Sequence, residues 1–450
     1  MKIQATRQDA YQLMHDGALA LARVEAVGMR IDEGRLKKTI EKTSKQIKDI
    51  TDRLRSDEVY RVWRRRFGEK TKLGSRDQLA RVLFEEMGVK SKGAKQLGKR
   101  VKMDKDALGK IDLPFVKDYL KIEKLKKLRG TYLMGVLREV VEGYLHPVFN
   151  LHLARTYRSS SDSPNFQNIP IRDKEIGKLI RSCFIPRDGH VLVEIDFKAL
   201  EVCIAACYHK DPVMLEYIHD PSKDMHRDMA AECYKLPVEQ VTKDARFYAK
   251  NQFVFPEFYG SYFAQVAPNL WESIGTYGLK TVDGVGLRDH LKSKGIGNYD
   301  AFERHIKRVE ENFWGRRFVK YAQWKKWWHE RYLKTGGFSM LTGFRVDGVY
   351  ARNDVINYPV QGAAFHILLW SLIQLVKWLV KNKMQSVIVG QIHDSLVADI
   401  HKKELDVFLA QAQEVMTIAV RKHWSWINIP LTIEVATSET NWYEKKEISL

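Results

Sequence analysis

Two strand-like apolar runs, widely separated in the chain, each stop at an aspartate. Asp196 ends "HVLVEIDF", and Asp394 sits at the break between the two apolar halves of "VIVGQIHDSLVADI". If the two carboxylates are to share one cleft, strands far apart in sequence must pair in one sheet. That demands a sheet-containing body assembled from separated segments, with helical excursions between them. Taken alone, the two aspartates read equally well as turn residues at strand ends, where Asp is common.

The chain around them is strongly basic. Lys plus Arg number 75 against 56 Asp plus Glu, giving a net charge of +19 over 450 residues. The excess is spread along the chain, which favours a long polyanion such as nucleic acid over one small acidic ligand. With 44% hydrophobic residues there is material for a real core and for two or three domains. Cys183, Cys203, Cys207 and Cys233 form no Cys-x-x-Cys pair. Cys203 and Cys207 share an apolar helix, so buried free thiols in a reducing cytoplasm are expected. The N-terminus has no apolar signal core and no unbroken apolar run reaches 18 residues, so no membrane is expected.

Residues 1–30 read as a helix closing at Gly28, and 31–135 as largely helical and basic. "SRDQLARVLFEEMG" starts a helix at Ser75 or Asp77. "EGYLHPVFNLHLART" reads as a strand hairpin and "SSSDSPNFQNIPIR" as a turn-rich loop. A helix follows the Asp196 strand, and 212–335 is mostly helical with a glycine-dotted interruption at 275–297. Short strands and a proline occupy 336–360, and a buried helix starts at "PVQGAAF". The Asp394 hairpin, a helix at 402–423 and a last strand close the chain.

Two carboxylates with a substrate's phosphates suit a hard divalent ion, which keeps waters and takes few protein ligands. A pair of ions about 3.5–4 Å apart can activate a hydroxyl and stabilise the leaving oxygen. Glu201 lies in "ALEVCIAAC", an almost wholly apolar helix, where a carboxylate needs a partner or a task; a first-turn capping role is the plainer alternative. In "RFYAKNQFVFPEFYGSYF", Arg246 and Lys250 share a helix face and could clamp a triphosphate. Phe255 and Tyr259 are likewise four apart and could stack on a base. An ordinary amphipathic helix gives the same isolated pattern.

Together these segments resemble the family A DNA polymerases, the bacterial DNA polymerase I class, and look closest to a phage member. "DFKALE" is similar to the family's first carboxylate motif, "QIHDSLV" to its second, and "RFYAKNQFVFPEFYG" to its fingers helix. "SPNFQNIPIR", "NYPVQGAA", "VEAVGMRID" and "SRDQLARVLFEEMG" resemble further segments, in the family's order, over about residues 17–443. The resemblance implies an α+β right-hand fold: a helical thumb (31–135), an antiparallel-sheet palm (136–211 and 336–450) with a palm-associated segment (1–30), and helical fingers (212–335).

It also implies template-directed DNA synthesis on primer-template DNA from deoxynucleoside triphosphates, by a cytoplasmic monomer, in phage replication or repair. Asp196, Asp394 and the Phe197 carbonyl would hold two Mg²⁺ ions, with Mn²⁺ as a substitute. Arg246, Lys250 and His226 would hold the triphosphate, and Lys250 would protonate the departing pyrophosphate. Phe255 and Tyr259 would stack at the nascent pair, and Glu201 would crowd a ribose 2′-hydroxyl. Arg158, Gln361 and His393 would read the minor groove at the primer end, with Asn165 and Asn357 as further DNA contacts. The chain begins where the family's polymerase region begins, so proofreading is expected to be lacking or to come from a separate exonuclease; a processivity factor is a further possible partner.

The sequence departs from the family in places. Lys250 to Phe255 is five residues where the family has four, and Pro256 cannot donate to the Gln252 carbonyl. A π-bulge around 251–255 is therefore expected, with either Val254 or Phe255 in the family's Phe position. Ser395 replaces a frequent Glu, Asn353 an Arg, and "TYRSSS" alters the loop after Arg158. Residues 273–300 look like an insertion that forms a flexible loop. The tryptophans of "YAQWKKWWHERYL" read as packing, with base stacking as the alternative. The rival functions are a single-subunit RNA polymerase-like enzyme, which Glu201 argues against, and a catalytically inactive DNA-binding accessory.

Overall fold

The computed structural model describes residues 5–89, 95–97, 100–102, 108–109, 111–171 and 173–449. Its organising element is a five-stranded antiparallel sheet ordered Val387–Ile392, Ser395–His401, His190–Phe197, Ile433–Ser438, Lys446–Ile448. The central strand His190–Phe197 buries Val191, Leu192, Val193, Ile195 and Phe197, which is why it reads as a nearly continuous apolar run: both of its faces are covered. Its register with the neighbouring strand pairs Ser395 with Asp196 and His401 with His190. On its other side Glu434 lies opposite Asp196.

Two long helices back this sheet. Arg7–Val27 packs on Arg352–Lys381 and on the Val387–Ile392 strand. A Cβ at Gly17 would lie 2.8 Å from Leu369 Cδ2, so the helices cross where one side chain is missing. Asp16 and Lys377 then join them by a 2.6 Å ion pair at the rim. The first helix ends at Gly28 as expected, with its backbone N–H on the Val24 carbonyl.

The long helix starts earlier than expected, at Arg352, and carries Pro359 in its interior. A proline removes the hydrogen bond to the carbonyl four residues back, here that of Val355. The indole N–H of Trp328 donates to that carbonyl at 3.0 Å, in a buried position. The helix therefore continues through the proline because a side chain from another helix supplies the missing donor. By length and composition it is also apolar enough to cross a membrane, but 72% of its apolar window is buried inside the protein.

In the region 31–135, Glu33–Ser56 packs against Pro114–Lys127, bridged by Arg53 and Asp118 at 3.0 Å. Ser75 is the N-cap of Arg76–Arg81, accepting from the Gln78 N–H. A two-stranded pair, Lys95–Leu97 with Arg100–Lys102, interrupts the expected helical run; much of 90–110 lies outside the described residues. The expected hairpin at 140–155 is split. Tyr144–Leu145 pairs with Val140–Val141 on one side and with Met29–Arg30 on the other, while Val148–Asn150 pairs with Ser160–Asp162, inside the segment read as a loop.

The stretch 273–300 is a folded unit, not a loop. Lys280 bridges to Gly286, Leu287–Ser293 is helical, and Leu279, Leu287, Leu291 and Ile296 are buried. These apolar anchors, with Ile274, hold the segment, while glycines from Gly278 onward fall outside its helices. All four cysteines are buried free thiols, as the sequence suggested for Cys203 and Cys207.

The Trp328–Val355 bond yields a stability prediction. Trp328→Phe keeps an aromatic ring but leaves a buried carbonyl unpaired, so it should destabilise by about 1–3 kcal/mol. Leu333→Ala, on the exposed side of the same helix, should stay within about 0.5 kcal/mol. Equal denaturation midpoints for the two variants would refute the role given to the indole.

Candidate active site

The two aspartates meet through strand register. Asp196 is the penultimate residue of the central strand, and Asp394 sits in the two-residue turn between Ile392 and Ser395. The Phe197 N–H donates to the Asp394 carbonyl at 3.4 Å, tying the end of one strand to the turn of the other. Both carboxylates are flanked by left-handed backbone: His393 has φ 49° and Ala199 φ 51°. Such non-glycine conformations cost about 1–3 kcal/mol each and concentrate where a site needs them. The Gln391 side chain supports the turn, donating to the His393 carbonyl at 2.7 Å and accepting from Ser159 and Gln167.

Burial, then the charges of Asp394, Glu194 and Glu434, push the Asp196 carboxyl up to about 7, although one side of it opens to solvent. Burial also raises Asp394, partly offset by Arg158 and reinforced by Glu201. Asp394 Oδ1 is buried without a hydrogen-bond partner, its nearest cation being Arg158 at 3.8 Å. A buried carboxylate oxygen that accepts no hydrogen bond, beside a second carboxylate of raised pKa, is what a divalent cation would relieve. Among the described residues no group of three or more His, Cys, Asp or Glu could hold an ion. The donor set therefore fits a hard ion completed by water and phosphate, such as Mg²⁺, and not an all-protein cage.

A second layer closes over these carboxylates. Glu201, in the first turn of Leu200–His209, receives hydrogen bonds from Arg158 and from the Tyr259 hydroxyl. Arg158 thus spans Glu201 and Asp394 in this state. Burial and the neighbouring Glu201 push the Tyr259 hydroxyl's pKa upward, so it remains a donor.

The clamp helix contains the expected π-turn. Lys250–Val254 is π-helical, and the Phe255 N–H bonds to the Lys250 carbonyl. The extra residue is absorbed there, and Pro256 needs no partner at Gln252. Val254 points into the core, fully buried. Phe255 lies on the clamp face, 5.2 Å from Lys250 Nζ and edge-on to His226 at 5.6 Å. Arg246 is held at 2.5 Å by Asp224, which also caps the next helix by accepting from the His226 and Arg227 N–H groups. Burial and Arg246 lower the Lys250 pKa, while Glu434 and Asp224 oppose this. Burial and the two clamp cations bring His226 down to about 4, so it is neutral at physiological pH.

The structure brings together Asp196, Asp394, Glu201, Arg158 and Tyr259 in one network, and Arg246, Lys250, His226 and Phe255 in an adjoining one. Asn357 and Asn353 bond to the Tyr259 and Gly260 carbonyls at 3.3 and 3.4 Å, fastening the clamp helix to the long helix. Gly260 has φ +95°, and a Cβ there would collide with the Asn353 side chain. Gln361 is half-buried and His393 exposed; Asn165 is exposed and its side chain caps a short 3₁₀ turn. Sequence reasoning missed Asp224, Gln391 and Glu434. Asp224 carried a legible signal, as the N-cap of the helix that holds His226; Glu434 had none, because only the sheet register places it.

Two predictions follow from this geometry. With both carboxyl pKa values raised, the ion-free folded state binds more protons than the unfolded chain, whose Asp groups titrate near about 4. Ion-free stability should fall as pH rises from about 4 through about 7, and stabilisation by Mg²⁺, which needs the ionised forms, should grow over the same interval. Thermal melts with and without Mg²⁺ across pH check this, and Asp196→Asn should flatten the Mg²⁺ response. Gly260→Ala should weaken folding by more than about 1 kcal/mol; an unchanged melt would contradict the close approach to Asn353.

Comparison with known proteins identifies the fold and the family. The solved polymerase domain of Pol1 from M. smegmatis, described in complex with a DNA primer-template and dNTP, superposes with a TM-score of 0.74 at 24% identity, over 96% of this chain and 70% of that one. The fold is accordingly the α+β right-hand fold. DNA polymerase I of Caldicellulosiruptor bescii is 28% identical over 95% of this chain and 46% of its own length. The thermostable DNA polymerase I of Thermus aquaticus is also 28% identical, over 95% of this chain and 47% of its own. The chain thus spans about half the length of these relatives. Residues 37–444 match the family described as DNA polymerase family A, and the chain belongs to that family.

Proposed function

We propose that this chain is a template-directed DNA polymerase that adds deoxynucleotides to a primer 3′ end. The observation that carries the reading is the register that sets Asp196 beside the Asp394 turn, with Glu201, on the helix that follows Asp196, bonded to Tyr259 at the end of the helical segment that carries Arg246 and Lys250. Asp196, Asp394 and the Phe197 carbonyl would hold two Mg²⁺ ions, Mn²⁺ substituting. When bound, such ions activate the primer hydroxyl and stabilise charge on the phosphates in an in-line displacement.

The chain's own residues would do the rest. Arg246 would turn from Asp224 to grip the triphosphate as a fork, with Lys250 as a point charge and neutral His226 as a hydrogen-bond donor. A Lys250 with a lowered pKa is a better acid near neutrality, suited to protonating the leaving pyrophosphate. Phe255 would stack on the incoming base. Glu201, pinned by Arg158 and Tyr259, would leave no room for a 2′-hydroxyl, which favours deoxynucleotides over the RNA-polymerase alternative. Arg158, Asn165, Asn357, Gln361 and His393 would contact the primer-template. In this reading 31–135 is the thumb, 212–335 the fingers and 136–211 with 336–450 the palm, and a role in phage or bacterial replication or repair belongs to the same proposal.

Primer extension tests it. Asp394→Asn should lower extension by at least about 10²–10³ while DNA binding persists, and Lys250→Ala by about 10²–10⁴. Glu201→Ala should raise ribonucleotide use relative to deoxynucleotides. Retained synthesis by Asp394→Asn, or equal use of both sugars by the wild type, would sink the reading.

A further inference from the structure

The tryptophan-rich segment lies in the helix Val319–Thr335, and only part of it is packing. Trp324 and Trp328 are 7% exposed and stack on each other at 5.5 Å and 25°. Trp327 is 52% exposed, tilted against Trp328 at 6.0 Å. With Trp426 from the segment before the last strands, these rings line a cavity of about 350 Å³. Arg331 and Lys210 stand in its wall, both exposed. The Arg331 guanidinium lies 5.5 Å from the Trp327 ring centre. Among the described residues no Asp or Glu lines the cavity. The indole N–H of Trp426 is buried without a partner, a donor that the protein itself leaves unsatisfied.

We propose that this cradle is a docking site for an unpaired DNA strand, one base lying on Trp327 and its phosphates on Arg331 and Lys210. An open indole face with cations in the same cavity wall and no lining carboxylate has the composition of a single-strand binding surface, and the chain's +19 charge favours a polyanionic occupant. The volume falls in the range of small-ligand sites, enough for one nucleotide. The cradle also adjoins the candidate active site. Its wall residues Trp328 and Tyr208 donate to the Val355 and Pro359 carbonyls, at 3.0 and 3.3 Å, on the helix that carries Asn353, Asn357 and Gln361. A template strand leaving that helix could run into the cradle. The inference rests on the DNA-handling reading of the chain.

The test uses a labelled oligothymidylate with the full chain, and primer-templates with either one or about 16 unpaired template nucleotides. Trp327→Ala should weaken oligothymidylate binding about tenfold, and Trp327→Phe should retain most of it. Replacing Lys210 and Arg331 together by Ala should reduce the salt dependence by about 1.4 logarithmic units per decade, the contribution of two phosphate contacts. Extension should need more of the long-overhang template in the Trp327→Ala variant and be unchanged on the single-nucleotide overhang. Unchanged affinity and salt dependence would overturn the proposal in favour of a protein partner, whose hot spots share Trp and Arg; an equal loss on both templates would overturn it too. If the wild type extends neither template but oligothymidylate binding depends on Trp327, the polymerase reading fails and the cradle stands.

Discussion

Everything at the candidate site depends on one antiparallel pairing. His190–Phe197 and Ser395–His401 align so that Ser395 faces Asp196, and the turn residue just before Ser395 is Asp394. A slip of one residue would exchange the side chains of the central strand between its two covered faces. Each would then meet packing shaped for a different side chain, so close packing on both faces holds the register, and the two carboxylates inherit that precision. Their mutual repulsion and burial are a local penalty that the sheet is large enough to sustain.

Around this pair the protein spends polar groups on fixing backbone more than on pairing charges. Gln391 holds the hairpin turn, Asp224 caps a helix while holding Arg246, and Asn353 and Asn357 tether the end of the clamp helix. Trp328 completes the long helix at Pro359. Each contact places a functional side chain through the backbone beneath it. The Glu201–Arg158–Tyr259 network differs: it joins side chains from three separate segments directly over the carboxylates.

Much of this is legible in the amino-acid sequence. The apolar runs ending at Asp196 and Asp394 are strands, Ser75 and Gly28 bound their helices, and the extra residue before Pro256 is taken up by a π-turn. These depend on local chemistry: a side chain capping its own helix, a ring lacking an N–H, a periodicity within a few residues. Two local readings failed for a shared reason. The glycine-dotted stretch at 273–300 folds because Leu279, Leu287, Leu291 and Ile296 find a core outside the segment. Pro359 sits inside a helix because its missing bond is replaced from another helix.

The sequence by itself determined which residues are candidates for the site and on which local element each sits, because motif spacing, capping and helix periodicity act over a handful of residues. Only the tertiary structure decided what those residues meet: that Glu434 lies opposite Asp196, that Arg158 spans Glu201 and Asp394, that Phe255 and not Val254 takes the clamp face, and that Trp327 stays open while Trp324 and Trp328 are buried. Those contacts join segments far apart in the chain, and their partners are selected by sheet register and helix packing, which no local pattern encodes.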